Sequence, residues 1–477
     1  MKRDPSHGTK YVLFSILLVA LVLRVAAAQS PNLAHPDEIF QTLEPAHRLA
    51  FGYGVVTWEW REGIRSWVFP AFLAAIMRAT AWMGAGSSGY LLGVTLVLSL
   101  ISLTAVGFAF AWARRAGGMP AAIIAAGACA TWYQLVDFGG RALTEVFAAH
   151  LLLPGLYLGV YGEKIPERRR MLLAGLFCGL AFSLRIQLAP AIAFALVWFC
   201  GAEWRKRAAP LAVGFLLPIA IFGMVDLFTW SSPFQSFVGY FWVNAIEGRS
   251  KMFGTAPWYW YCSYLLDAMG PMLFLAVVGC LRSPFLGWMA LIILTSHSAF
   301  SHKEPRFLYP LMPLIVTLAA LGIAEILRSF TLRNRPMFPA WATILIGLLV
   351  CCLTSFLLAP RFPWWEKNAG GVVAFDRLSR NSGLCGAGLY DVAWFSSGGY
   401  AQLHRNVPIV VVPGASELAA RSAAFNALIA PVGTSGLPAD FRRIECAGGI
   451  CLYQRPGVCE APSSGDEIDA FLRRTGN

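Results

Sequence analysis

A series of apolar segments, most of them long enough for a helix that crosses a bilayer, dominates this chain of 477 residues. The segments lie near 11–28, 67–83, 90–113, 119–136, 143–162, 171–184, 187–201, 210–229, 264–281, 284–300, 307–327 and 338–358. A transmembrane β-barrel would instead alternate apolar and polar residues. Only 13% of the residues are charged, about half the usual share in soluble proteins. The sequence therefore predicts an all-α polytopic membrane protein and excludes a disordered protein or an ordinary cytosolic enzyme.

The net charge of +12 comes largely from Lys and Arg in short loops beside the apolar segments, at 163–170, 203–207 and 328–336. Such loops face the cytoplasm under the positive-inside rule. Loops 29–66, 230–262 and 301–306 and the C-terminal tail are then predicted on the other side. Because no aromatic residues are spaced among these charges as a base-stacking platform would need, we predict no nucleic-acid partner.

The number of segments conflicts with this sidedness, because a cytoplasmic start and an external tail require an odd number of crossings. We expect about 11 to 13 transmembrane helices. Either segment 67–83, which contains Pro70 and Arg78, or segment 119–136, which contains Gln134, is then the exception. The first segment ends in Ala26, Ala27 and Ala28, which resemble a signal-peptidase site. We expect a retained anchor there, with a cleaved signal peptide as the alternative.

The apolar segments stop after residue 358, which predicts a transmembrane domain over 1–358 and a separate domain over 359–477. Short β-like runs at 407–412 and 450–453 and Gly-rich turns predict a small mixed α/β extracytoplasmic domain in the tail. An oxidising compartment would allow a disulfide among its cysteines. Those nearest in sequence are Cys446 with Cys451 and Cys451 with Cys459. The chain has no CxxC pair and no His at zinc spacing, so we predict no metal site and no cofactor.

The first external loop, 29–66, is predicted to contain an amphipathic helix that lies on the membrane surface. Pro36 suits the first helical position, and Asp37 and Glu38 suit the first turn. One face carries Phe40, Leu43 and Ala50, and another carries Asp37, Gln41, Glu44 and Arg48. We expect a kink at Pro45, an end at Gly52 and Gly54, and Trp58 and Trp60 in the headgroup region.

Asp37 and Glu38 are the candidate catalytic residues of this loop. Two adjacent carboxylates beside His35, in a loop rich in aromatic residues, provide the base and the walls that sugar chemistry requires. From spacing alone, however, two carboxylates that complement the positive end of a helix are the better explanation of the pattern.

A second candidate is Arg185, because an arginine between two apolar half-segments is costly unless it reaches water or an anion. If 171–184 and 187–201 form a hairpin with cytoplasmic ends, Arg185 lies at its external tip. Arg141, near Thr144 and Glu145, has the same predicted sidedness. Snorkelling to the membrane interface is the alternative for both arginines.

Two motifs carry a resemblance to a known family. The first is His35-Pro36-Asp37-Glu38-x-Phe40-Gln41, followed by Phe51-Gly52-Tyr53-Gly54-x-x-Thr57-Trp58-Glu59-Trp60 and Ile64-Arg65-Ser66. The second is His302-Lys303-Glu304-x-Arg306-Phe307, which resembles the signature HKExRF. Together they resemble the GT22 mannosyltransferases, above all the branch that extends GPI anchors. The resemblance covers about residues 11–358 and implies the GT-C fold.

The resemblance implies a mannosyltransferase that transfers mannose, with inversion, from polyprenyl- or dolichyl-phosphate-mannose to a glycan or glycolipid acceptor. Asp37 is then the general base, with Glu38 in support. The donor phosphate is held by His302, Lys303 and Arg306, with Arg185 beside them and Glu304 orienting the cations. His35 and Gln41 complete the predicted substrate site. The donor, the acceptor and membrane lipid are the predicted partners.

Two other functions stay open. A transporter or flippase of lipid-linked sugars would share the hydropathy, but its key polar residues are expected near mid-membrane, with repeat symmetry. A GT-C transferase for another lipid-linked sugar, such as a pentose or glucose, would share the scaffold. The short loops and the absence of an N-x-S/T sequon favour a bacterial inner membrane over the endoplasmic reticulum of a eukaryote.

Overall fold

The computed structural model describes residues 5–29, 35–332, 335–362, 369–461 and 467–476. It divides into two compact units. The helical unit comprises Met1–Ala27, Leu98–Leu227 and Phe241–Phe362. The mixed unit comprises Ala28–Val97, Phe228–Tyr240 and Pro363–Asn477. The predicted domain boundary after residue 358 stays a prediction.

The α-helices follow the apolar segments of the sequence closely. In chain order they are α1 (Pro5–Ala28), α2 (Glu44–Phe51), α3 (Trp58–Arg61), α4 (Val68–Thr80), α5 (Ser88–Thr131), α6 (Tyr133–Asp137), α7 (Thr144–Tyr161), α8 (Glu167–Leu184), α9 (Ala189–Cys200), α10 (Trp204–Trp230), α11 (Gln235–Phe241), α12 (Trp260–Met269), α13 (Pro271–Cys280), α14 (Pro284–Ser298), α15 (Met312–Ser329), α16 (Ala340–Leu358), α17 (Ala369–Ser379), α18 (Gly399–Leu403), α19 (Ala415–Arg421) and α20 (Ile468–Thr475).

Several of these helices are long and apolar enough to cross a membrane. Among the described residues they are Thr9–Ala28, Ser88–Thr131, Ile186–Trp230, Pro305–Ser329 and Ala340–Arg361. A further span, predicted as one segment over 264–281, is broken. Helices α12 and α13 meet there at 102°, because Gly270 takes φ 51° and Pro271 begins the next helix. The predicted multi-pass membrane protein is confirmed.

Close backbone contacts through glycine join the helices of the helical unit. Gly279 of α13 and Gly322 of α15 each lie against a backbone carbonyl of the other helix, where any Cβ would collide. Small residues allow this approach in membranes, where association depends on packing rather than on the hydrophobic effect. Helix α15 is apolar on all sides and is buried along most of its length, so it forms the centre of the unit.

A buried arginine ties α1 to the end of α5. The Arg24 side chain is fully buried, and its guanidinium donates hydrogen bonds to the carbonyls of Ala20, Cys129 and Ala130. The last carbonyls of a helix lack partners within that helix and carry partial negative charge. Arg24 therefore caps the C-terminus of α5 without a carboxylate among these partners.

The mixed unit contains a five-stranded sheet with the order β4-β3-β5-β7-β6. The strands are β3 (Ala387–Tyr390), β4 (Ile409–Val412), β5 (Ala427–Pro431), β6 (Arg442–Ala447) and β7 (Ile450–Gln454); a two-residue pair, β1 (Thr331–Leu332) and β2 (Arg335–Pro336), belongs to the helical unit. Strands β4, β3 and β5 are parallel, and β5, β7 and β6 are antiparallel. The predicted all-α membrane fold with a small mixed C-terminal domain is confirmed.

Two disulfides close the C-terminal domain. The bond Cys446–Cys451 joins neighbouring strands, as one of the two sequence pairings predicted. The other pairing, Cys451 with Cys459, is wrong, because Cys459 is bonded to Cys385, 74 positions away. Proximity along the sequence could not identify that partner, which depends on the folded sheet.

Candidate active site

The helix that carries Asp37 begins at Pro36 and ends at Gly52, as predicted. Gly52 takes φ 93°, a left-handed conformation that suits glycine at a helix end. Between Asp37 and α2 lies a π-helical segment, Glu38–Leu43, in which the N–H of Glu44 donates to the carbonyl of Ile39. Pro45 has no N–H to donate the next hydrogen bond of an α-helix, so the π-helical turn, which is wider than an α turn, directly precedes it.

Two details of the first-loop prediction are wrong. Glu44, placed by periodicity on a polar face, is fully buried, whereas Leu49 is exposed. Trp60, expected among lipid headgroups, is also buried, and its ring centroid lies 4.4 Å from that of Trp67. Both residues pack within the mixed unit, so the loop is an integral part of a folded body and not only a surface helix.

The Asp37 carboxylate is accessible, with 24% of its side chain exposed. The Nδ1 atom of His35 accepts a hydrogen bond from the Asp37 N–H at 3.1 Å and lies 3.4 Å from Asp37 Oδ1. Because Nδ1 accepts that bond, the ring proton of a neutral His35 lies on Nε2. His35 thus holds the first turn of the helix while the carboxylate stays reachable.

A permanent cation, Arg65, lies near Asp37. Its guanidinium donates to Glu59 Oε1 at 2.6 Å and lies 5.2 Å from the ring centroid of Tyr240. Burial lowers the pKa of Arg65, but the charges of Glu59, Tyr240 and Asp37 outweigh that effect, so that the pKa is raised. Arg65 belongs to the first motif, yet the sequence assigned it no role.

Glu38 and Gln41 are less accessible than Asp37. Glu38 is only 8% exposed, and its carbonyl accepts a hydrogen bond from the Thr42 hydroxyl at 2.6 Å. Gln41 is half-buried in the same π-helical segment. Of the two adjacent carboxylates, Asp37 is therefore the more accessible.

The second motif occupies the loop between α14 and α15. Its backbone is fixed to α12 by two hydrogen bonds to the Tyr261 hydroxyl. The hydroxyl donates to the Glu304 carbonyl at 3.1 Å and accepts from the Glu304 N–H at 3.2 Å. Pro305 then begins a 3-10 helix, Pro305–Leu311. The side chains of His302, Glu304 and Arg306 are therefore held in place by a rigid loop.

Arg306 is held by two carboxylates. Its Nε donates to Glu304 Oε2 at 2.6 Å, and its Nη1 donates to Glu145 Oε1 at 2.7 Å. Only 6% of the Arg306 side chain and 1% of the Glu145 side chain are exposed. Charge-assisted hydrogen bonds of this kind fix a guanidinium in one orientation.

Arg185 joins the same group of residues. It follows α8 directly and precedes α9, which is the hairpin tip that the sequence predicted. Its guanidinium lies 4.7 Å from the ring centroid of Phe307, and its Nη1 is 3.9 Å from Glu145 Oε2. Within the described part of the chain its buried Nε has no hydrogen-bond partner. Arg185 therefore has donor capacity left for an anion.

His302 lies between two acceptors. Its Nε2 is 2.9 Å from Glu304 Oε1, and its Nδ1 is 2.9 Å from the Gly254 carbonyl. A carbonyl and a carboxylate both accept, so this pair of partners favours the doubly protonated form of the His302 ring, in which both nitrogens donate. The hydrogen bond to Glu304 accordingly raises the pKa of His302 above its ordinary value. We call Arg185, His302, Lys303, Arg306, Glu145 and Glu304 the cationic cluster.

Lys303 is the most loosely held cation of the cluster. Its ammonium donates to the Phe300 carbonyl and lies 5.8 Å from the Tyr261 ring centroid. Partial burial lowers the pKa of Lys303. Arg141, by contrast, forms an ion pair with Asp137 at 3.3 Å, and its predicted sidedness stays a prediction.

The structure thus gathers the predicted site residues into two groups. Arg185, His302, Lys303, Glu304 and Arg306 lie in the helical unit, and His35, Asp37, Glu38 and Gln41 lie in the mixed unit. The sequence did not identify Glu145, although its place at the start of an apolar segment beside Arg141 was a signal. Across the described ranges, no group of three or more His, Cys, Asp or Glu is arranged to hold a metal ion.

Solved structures with a similar fold include a protein bound to a lipid phosphate and an oligosaccharyltransferase. ArnT from Cupriavidus metallidurans, bound to undecaprenyl phosphate, matches with a TM-score of 0.64 and 13% identity over 95% of this chain and 100% of that chain. The Archaeoglobus fulgidus oligosaccharyltransferase, tethered to an acceptor peptide, matches with a TM-score of 0.53 and 14% identity over 98% and 78%. These similarities confirm the GT-C fold.

The chain belongs to the Alg9-like mannosyltransferase family, whose model matches residues 15–362. The GPI mannosyltransferase 3 of Yarrowia lipolytica is 28% identical over 85% of this chain and 78% of the relative. The GPI alpha-1,2-mannosyltransferase 3 of Mus musculus is 26% identical over 68% and 61%. The chain thus spans less than two thirds of that mouse relative. The predicted family and enzyme class are confirmed.

Proposed function

We propose that this protein transfers mannose from polyprenyl- or dolichyl-phosphate-mannose to a hydroxyl of a glycolipid acceptor, with inversion at the anomeric carbon. The observation that carries the proposal is the cationic cluster, in which Arg185, His302 and Arg306 pair with two carboxylates and Arg185 Nε has no hydrogen-bond partner within the described part of the chain. Two arginines beside one phenyl ring form a site suited to a phosphate, which accepts hydrogen bonds from guanidinium groups.

The charge change of the reaction explains why the cluster favours this donor. As the bond between the anomeric carbon and the phosphate oxygen breaks, the bond electrons go to that oxygen, and the phosphate gains negative charge. Cations that are fixed before the reaction stabilise this charge most where water is scarce. Arg306, His302 and Arg185 meet that condition, because hydrogen bonds or ring stacking hold each of them.

Asp37 supplies the base in this proposal. The acceptor hydroxyl oxygen forms the new bond to the anomeric carbon, and its proton passes to the Asp37 carboxylate. The exposure of Asp37 and the burial of Glu38 support the assignment of the base to Asp37. The names of the vertebrate relatives favour an α-1,2 linkage in the product.

We place the active site and the C-terminal domain on the non-cytoplasmic side. Helix α4 has 13 residues, about 20 Å at the rise of an α-helix, against about 30 Å of hydrocarbon. If α4 alone among the twelve apolar segments of the sequence does not cross, the number of crossings is odd, which agrees with a cytoplasmic start and an external tail. The two disulfides of the tail also favour an oxidising compartment. A bacterial inner membrane stays a prediction.

A transfer assay tests the proposed donor. Purified protein in lipid nanodiscs would receive polyprenyl-phosphate-mannose, polyprenyl-phosphate-glucose or GDP-mannose, each with the same mannosylated glycolipids. We expect a product with the first donor only, and linkage analysis by NMR should show an α-1,2 bond. Equal transfer from GDP-mannose would overturn the lipid-donor proposal, and preference for the glucose donor would overturn the sugar assignment.

A further inference from the structure

The helix of Asp37 is attached to the C-terminal domain through a buried carboxylate, Glu44. This side chain has no exposed surface. Its Oε2 accepts a hydrogen bond from the Val55 N–H at 2.7 Å, and its Oε1 accepts one from the Ala401 N–H at 2.5 Å. Val55 follows the turn that ends the helix, and Ala401 lies in α18 of the C-terminal domain. One carboxylate therefore joins three segments of the mixed unit.

The backbone around Glu44 is shaped to admit it. Gly399 takes φ 58°, and a Cβ at that position would collide with the Glu44 carboxylate. A Cβ at Gly54 would lie 3.0 Å from the Glu44 carbonyl. Glycine is required at Gly399 both by its left-handed conformation and by the close approach of the side chain. The C-terminal domain is thus fitted to this one residue of the first loop.

Other contacts hold α18 and the residues that flank it. The Tyr90 hydroxyl, in α5, donates to the Ala401 carbonyl at 2.6 Å, and His47 Nε2 lies 3.0 Å from His404 Nδ1. The Phe40 ring, within the π-helical segment, packs edge-on against Trp394 with centroids 4.7 Å apart. The Asp37 helix therefore contacts the C-terminal domain both within the π-helical turn, at Phe40, and after it, at Glu44 and His47.

Burial of Glu44 is costly for stability. Burial raises the pKa of Glu44 to about 8, and the backbone amides of Ala401 and Val55 only partly oppose this shift. An apolar residue in this place would leave the buried N–H groups of Val55 and Ala401 without their acceptor. Glu44 therefore fixes the geometry of the loop and α18 at a cost in desolvation.

We propose that Glu44 is a positioning residue through which the C-terminal domain sets the orientation of the Asp37 helix for proton abstraction. This inference rests on the proposed role of Asp37. The C-terminal domain then contributes to the rate of transfer and not to the binding of the donor. A small misplacement of a reacting group lowers the rate strongly even when the substrate still binds.

The test compares Glu44 variants in the transfer assay. Glu44→Ala removes both acceptors, so we expect kcat to fall roughly ten- to a hundredfold while the donor KM changes less than about twofold. Glu44→Gln keeps one acceptor oxygen and should recover part of the rate. Glu62→Ala, an exposed glutamate of the same loop, is the matched control and should keep the wild-type rate. An unchanged kcat in Glu44→Ala would overturn the proposal.

A double variant separates positioning from general damage. If Glu44 acts through Asp37, Glu44→Ala should cost almost nothing further in an Asp37→Asn background. An equal loss in both backgrounds would show a purely structural role and contradict the inference. Failure of the proposed function would look different, because Asp37→Asn would then keep the wild-type rate.

Trp394→Ala is a second test variant, to be used if Glu44→Ala protein does not accumulate in membranes. It removes the contact with Phe40 and leaves Glu44 in place, and we expect a few-fold lower kcat with an unchanged donor KM. Hydrogen–deuterium exchange should show faster exchange over 38–51 in the same variant. A wild-type kcat with wild-type exchange would overturn the proposal.

Discussion

The cationic cluster and the Asp37 helix carry the two groups of predicted site residues, and they differ in how their functional side chains are held. Arg306 is buried between Glu304 and Glu145, and its guanidinium has little freedom to reorient. Asp37 lies in the first turn of its helix with about a quarter of its side chain exposed. A phosphate presents the same charges in every donor molecule, so its binding groups can be fixed. A base must reach an acceptor that arrives from outside, so it needs exposure.

The two regions also differ in which contacts fix them. In the cluster, carboxylates and aromatic rings contact the functional cations directly. In the Asp37 helix, the strongest fixation lies farther along, at Glu44 and Phe40. Substitutions in the cluster should therefore alter binding and rate together, whereas substitutions around Asp37 should alter the rate alone.

The largest effect is expected at Asp37. Asp37→Asn keeps the size of the side chain and removes its basicity, so kcat should fall about a hundredfold or more with donor binding largely kept. The measurement is kcat and donor KM in the transfer assay. Asp440→Asn, a half-exposed aspartate of the C-terminal domain, is the control. Near wild-type transfer by folded Asp37→Asn protein would show that the base lies elsewhere.

Arg306→Ala should have the next largest effect. It removes a phosphate-binding cation and leaves Glu145 and Glu304 without their shared partner, so the donor KM should rise and kcat should fall. We expect a combined loss in kcat/KM of roughly ten- to a hundredfold. Arg306→Lys keeps the charge but cannot bind both carboxylates in the same geometry, and it should recover only part of that loss.

A matched control for Arg306 is Arg282→Ala, which breaks an ion pair with Glu325 outside the cluster. It should leave the donor KM within about twofold of the wild type, since exposed ion pairs contribute little. If Arg306→Ala lowered kcat with no change in donor KM, the contrast between the two regions would not hold.

A smaller, pH-dependent effect is expected at His302. The hydrogen bond to Glu304 raises the pKa of His302, so its positive charge is present at low pH and is lost as the pH rises through that raised value. The donor KM should therefore increase a few-fold on going to alkaline pH. His302→Asn cannot be protonated and should abolish this dependence. A parallel pH profile in the variant would assign the titration to another group.

The smallest effect is expected at Glu38. Glu38→Gln should lower kcat only a few-fold, because the side chain is buried beside the base and supports the helix. Comparison with Asp37→Asn under identical conditions gives the measurement. A larger loss in Glu38→Gln than in Asp37→Asn would exchange the roles of the two carboxylates.

Features that depend on local rules could be predicted from the sequence. Pro36 and Gly52 mark the ends of the Asp37 helix because a missing N–H and a left-handed conformation suit those positions. Arg185 was identified because a charge between two apolar half-segments requires a partner. The short β-like runs of the tail likewise became strands β4 and β7.

Features that depend on distant partners could not be predicted. Glu44 fits a polar helix face by periodicity, yet its carboxylate bonds to an amide 357 positions away. The pairing of Glu145 with Arg306 spans 161 positions. The break between α12 and α13 was missed because hydropathy averages over Gly270, although the Gly-Pro pair was visible in the sequence.

The π-helical segment changes the angle about the helix axis between Asp37 and the residues of α2. A π turn holds one residue more than an α turn of the same advance, and each residue of an α-helix turns the chain by about 100°. Straightening Glu38–Leu43 into an ordinary α-helix of the same length would rotate Asp37 by about 100° relative to Glu44, whereas deleting one residue at the same time would nearly restore its direction. The direction in which the Asp37 carboxylate points thus depends on the π turn itself, so a substitution that closes this turn at unchanged length would redirect it more than a deletion that closes it.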